Sequence, residues 1–77
     1  MERKKLIEFL ECNEPVLEYN GREYGICYPN GDYMFYPTDD EDDTIVFQSA
    51  EDLIDNLIID GVPFQDIADE VFKEYFE

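Results

Sequence analysis

Apolar residues recur along this chain at two different periods. Leu6, Ile7 and Leu10, with Phe9 beside them, fall at helical spacing and predict a helix over residues 2–12, ending near Asn13 ahead of Pro15. The period then shortens to two. Val16 to Tyr19 and Arg22 to Tyr28 flank Asn20-Gly21, and Pro29-Asn30-Gly31-Asp32 leads into Tyr33 to Tyr36. Asn-Gly between alternating runs predicts a two-residue hairpin turn, because both central residues must take positive φ. Two such hairpins in succession make a three-stranded antiparallel meander.

Turn position sets register. A turn at 20–21 pairs Leu17 with Tyr24, and one at 30–31 pairs Tyr28 with Tyr33 and Ile26 with Phe35. Leu17, Tyr19, Tyr24, Ile26, Tyr28, Tyr33 and Phe35 then share one face, the expected core side. Val16, Glu18, Glu23, Gly25, Cys27, Met34 and Tyr36 share the other. Glu18 and Glu23 fall directly opposite each other there, which is repulsive unless water surrounds them.

An acidic loop over residues 37–43 precedes Thr44-Ile45-Val46-Phe47, a run with strand character that leaves open a short fourth strand. Ser49-Ala-Glu-Asp is a capping-box pattern, predicting a helix to about Asp60 with Leu53, Ile54, Leu57 and Ile58 inward and Gly61 as its left-handed stop. Pro63 suits the first turn of a final helix to about Tyr75, burying Phe64, Ile67, Ala68, Val71, Phe72 and one of Tyr75 or Phe76. The expected fold is α+β: an N-terminal helix, the meander, and two C-terminal helices packed on one sheet face, in a single domain over 1–77.

Composition agrees that this pattern folds. Hydrophobic residues make up 44% and aromatics 16% of 77 residues, more than a disordered acidic chain carries. Charge changes the picture more. The net charge is −16, and residues 39–77 hold fourteen acids against Lys73 alone, while residues 1–38 hold seven acids and four bases. A field this negative excludes nucleic acid as a direct partner and favours a protein with a basic surface. Charges recur too often for a membrane span, and Cys12 and Cys27 read as reduced thiols, so a cytoplasmic setting is expected.

Catalytic constellations are missing. The chain has no histidine, no nucleophile paired with a base, and no glycine spacing suited to phosphate, so an enzyme is not expected. The run Asp39-Asp40-Glu41-Asp42-Asp43 fails as a calcium loop. Counted from Asp39, Thr44 stands where glycine is needed and Ala50 where the bidentate Glu belongs; counted from Asp40, position six is Ile45. No metal site and no cofactor are expected.

Asp66, Glu70 and Glu74 fall at successive i,i+4 positions, about 6 Å apart along a helix, close to twice the ~3.4 Å per-strand rise of phosphates in B-DNA. Such a row imitates a phosphate track, so the expected contact set is Asp39, Asp40, Glu41, Asp42, Asp43, Asp66, Glu70 and Glu74. The other reading is a small adaptor, monomer or homodimer, whose interface is the apolar sheet side at Val16, Met34 and Tyr36, with acidity serving solubility.

Helix, meander and two C-terminal helices in a short, strongly acidic chain resemble small phage- or mobile-element-encoded anti-CRISPR proteins of the type II-A kind. The resemblance covers the whole chain in architecture and charge. It implies an inhibitor whose acidic loop 39–43 and acidic helix faces occupy the site where a CRISPR nuclease reads DNA.

Overall fold

The computed structural model describes residues 2–76. Helix α1 (Arg3–Cys12) leads into strands β1 (Val16–Tyr19), β2 (Arg22–Cys27), β3 (Tyr33–Pro37) and β4 (Ile45–Phe47), joined as one antiparallel sheet in the order β1-β2-β3-β4. Helix α2 (Ala50–Asn56), a two-residue hairpin β5 (Ile58–Ile59) and β6 (Val62–Pro63), helix α3 (Phe64–Val71) and the short α4 (Lys73–Phe76) complete the chain. The architecture is α+β as the sequence predicts, and the 45–47 run does join the sheet. None of the helices among the described residues is long and apolar enough to cross a membrane.

The turn chemistry sets the sheet. Asn20 and Gly21 take φ of 53° and 79°, so Leu17 pairs with Tyr24 and Glu18 with Glu23; the second hairpin pairs Ile26 with Phe35 and Cys27 with Met34. Backbone pairing stops there. Pro29 has no N–H to give, and the Tyr28 N–H donates to the Glu14 carboxylate at 3.0 Å while its hydroxyl donates to the Glu11 carbonyl at 2.9 Å. Tyr28 and Tyr33 keep only a ring contact, at 5.1 Å between centroids.

One sheet face makes the core with the helices. Leu17, Tyr24, Ile26, Tyr33, Phe35 and Phe47 are buried against Leu6 and Leu10 of α1, Leu53 and Ile54 of α2, and Phe64, Ile67 and Ala68 of α3, with Phe72 beyond it. Helix α2 is capped by Ser49 as the sequence predicts, with the return bond from Asp52 falling one residue before the cap. Ser49 Oγ accepts from the Asp52 N–H at 3.0 Å, and Asp52 reaches back to accept from the Gln48 N–H at 3.1 Å.

Three expectations for the second half are corrected. Helix α2 ends at Asn56, not near Asp60, because Asp60 and Gly61 form a second left-handed turn, with φ of 52° and 80°. That turn pairs Ile58 with Pro63 and Ile59 with Val62, and Phe64 N–H closes the loop onto the Leu57 carbonyl at 2.9 Å. Gly61 is thus a hairpin residue, and Ile58 points out, 61% exposed. The final helix is also two. It breaks at Phe72 (φ −109°, ψ 15°), whose fully buried ring lies 5.0 Å from Phe9. Tyr75 is 52% exposed, and the Phe76 side chain lies outside the described residues.

Candidate functional site

The acidic loop leaves β3 at Pro37 and is tied to the start of β2. Thr38 donates its N–H to the Glu23 carbonyl at 3.0 Å and its hydroxyl to Glu23 Oε1 at 3.0 Å. Arg22 closes on Asp39 Oδ1 with Nη2 at 2.9 Å and Nε at 3.2 Å, and these bonds hold the guanidinium pKa above its ordinary value. Asp39 is therefore a neutralised anchor, not a member of the open acidic set. Glu41–Asp43 then form one 3-10 turn with every side chain exposed. The carboxylates of Asp40, Glu41, Asp42 and Asp43 make no hydrogen bond or ion pair with another described residue. No three His, Cys, Asp or Glu side chains among the described residues converge closely enough to hold a metal ion.

On the C-terminal side, Asp66 and Glu70 share α3, but the break at Phe72 puts Glu74 on α4. The evenly spaced row expected from a single helix is interrupted. The structure instead brings Glu70 and Glu74 together with Glu18 and Glu23 in a cleft of about 460 Å³ between β1, β2 and the α3–α4 junction, lined also by Val16 and Lys73. Asp66 lies outside it. Glu18 and Glu23 are cross-strand partners in this cleft, and sequence reasoning met them only as a repulsive pair on the wet face. Opposed carboxylates call for water or a cation, so the pair marks a solvated part of the sheet, and nothing in the sequence pattern places Glu70 and Glu74 beside it. Glu23 belongs to both regions, since its side chain bonds the root of the acidic loop and lines the cleft.

The opposite side of the sheet is laid out as the register predicts. The rows Val16–Gly25–Tyr36 and Cys27–Met34–Val46 face away from the helices. The Tyr36 ring lies flat over Gly25, so close that a Cβ there would meet its Cζ at 2.5 Å. Burial, then the neighbouring Cys27, Glu41 and Glu14, raises the Tyr36 phenol pKa; burial and Glu14 raise the Cys27 thiol. Cys12 and Cys27 are both free thiols. Cys27, Met34 and Tyr36 floor a shallow depression bordered by Glu41 and Thr44, while Val16 and Val46 are 48% and 55% exposed.

No protein-family model matches this chain, and neither the curated proteins nor the solved structures contain a match to it.

Proposed function

We propose that the protein works by binding and not by catalysis, as a nucleic-acid mimic that occupies the basic surface of a nucleic-acid-binding protein such as a CRISPR nuclease. The observation that carries this reading is Glu23, whose carboxylate bonds Thr38 at the root of the acidic loop and also lines the acidic cleft, so that the two acidic regions adjoin. The carboxylates of Asp40, Glu41, Asp42 and Asp43 are not used to hold the fold together. A charge group that contributes nothing to its own fold, at a cost in self-repulsion, fits a role toward a basic partner. Binding to a guide-loaded type II-A nuclease should be micromolar or tighter and weaken steeply with salt. The triple reversal Asp40→Lys, Asp42→Lys, Asp43→Lys should remove it; binding unchanged by that reversal would refute the reading.

A second reading, an adaptor whose interface is Val16, Met34 and Tyr36, draws support from the half-exposed Val16 and the partly exposed Met34 and Tyr36 on that sheet face. It predicts salt-insensitive association or a homodimer, which size-exclusion chromatography at low and high salt distinguishes from acidic capture.

A further inference from the structure

Strand β1 is an edge of the sheet, with no strand paired on its outer side among the described residues. Ile26 N–H donates to the Pro15 carbonyl at 3.0 Å, so residues 15, 17 and 19 direct their backbone groups toward β2. Alternation in an antiparallel ladder then turns the N–H and C=O of Val16 and Glu18 the other way. No described residue bonds to those four groups. Val16 and Glu18 line the cleft whose walls also carry Glu23, Glu70, Glu74 and Lys73.

Resting on the binding function proposed above, we infer that the β1 edge is a strand-addition site for an extended, Lys- or Arg-bearing segment of a partner protein. Its backbone pairs with Val16 and Glu18, and its basic side chains lie against the four glutamates. Main-chain pairing supplies affinity in this mode, and the side chains flanking the edge supply specificity. Residues directly opposite one another on a sheet face are neighbours, so a basic residue placed opposite Glu18 relieves its repulsion with Glu23. An apolar residue two positions away falls beside the half-exposed Val16. A second copy of this chain is disfavoured at the same edge: self-pairing sets Glu18 near its own counterpart in two molecules of charge −16.

The test uses the full chain and a blocked six-residue peptide alternating lysine and valine. Its controls are the same peptide N-methylated at every backbone nitrogen, which keeps the charge and removes the donors, and a glutamate–valine version. Strand addition predicts that the lysine peptide slows amide exchange at Val16 and Glu18, and that N-methylation weakens binding at least about tenfold, the loss of one or two net hydrogen bonds. Glu18→Lys should lower affinity for the lysine peptide and raise it for the glutamate peptide. Equal binding of the N-methylated peptide, or resonance shifts confined to residues 39–43, would overturn strand addition while leaving acidic capture standing. No binding of either lysine peptide would overturn both.

Discussion

Glu18 and Glu23 are direct partners on the β1–β2 ladder, one step from the Asn20-Gly21 turn, at a position where the two strands approach most closely and exchange no backbone bonds. Glu23 also accepts from Thr38, so its carboxylate is held in place. The repulsion is built in by a turn whose register the fold cannot shift without exposing Leu17 and Tyr24.

Relieving it should stabilise the protein. Glu18→Gln is expected to raise unfolding free energy by about 0.2–1 kcal/mol at low ionic strength, with the gain shrinking as salt screens the pair. Urea unfolding at two salt concentrations measures both. The same substitution should weaken binding of a basic partner, which separates a charge kept for function from one kept for folding.

Gly25 is required by Tyr36. Gly25→Ala must lift the ring, whose Cζ and hydroxyl lie 2.5 and 2.6 Å from the new Cβ, and should cost about 1 kcal/mol. With Tyr36→Ala the clash vanishes, and the alanine should become stabilising by roughly 0.5 kcal/mol because glycine loses more backbone entropy in a strand. A double-mutant cycle in denaturant reads the change of sign.

Gly61 has open space around it but a φ of 80°. Gly61→Ala should cost about 1 kcal/mol from the left-handed backbone alone, lowering Tm by roughly 4–8 °C for a domain of this size. An equal Tm would mean that this turn does not keep its conformation.

Burial raises the phenol pKa of Tyr33 and Tyr36 above the ordinary 10.0. The fold holds each phenol's proton to a higher pH than the unfolded chain does, so as pH rises the unfolded chain ionises first and the equilibrium shifts toward it. Stability from these groups is fully present below about pH 10 and is lost as pH rises through the folded values. Urea midpoints should hold level up to that point and fall beyond it, with Tyr36→Phe removing part of the fall.

The first half of the fold was legible because its turns are. Asn20-Gly21 and Asn30-Gly31 sit between alternating runs long enough to assign faces, and the pairings Leu17–Tyr24 and Ile26–Phe35 followed from counting; the expected Tyr28–Tyr33 pair does not form, and in the second turn Gly31 but not Asn30 has positive φ. Asp60-Gly61 carries the same turn chemistry, yet its strands are two residues each, too short for alternation to show, and a glycine after an apolar periodic run equally suits a helix end. Phe72 offered no breaker at all; the kink there follows from packing its ring against Phe9 and Phe64, a contact between distant parts of the chain. The acidic loop was legible from charge. That Arg22 neutralises Asp39, and that Glu18 and Glu23 meet Glu70 and Glu74, depends on packing β1 beside α4, which no local pattern encodes.

The most direct measurement is competition with DNA. A labelled duplex is bound to a guide-loaded type II-A CRISPR nuclease, and the protein is titrated in at increasing salt. Mimicry predicts that the protein displaces the duplex, that displacement fades steeply as salt rises, and that charge reversal at Asp40, Asp42 and Asp43 or at Glu70 and Glu74 abolishes it. A duplex that stays bound at saturating protein, or displacement unchanged by the reversal at Asp40, Asp42 and Asp43, would contradict the account.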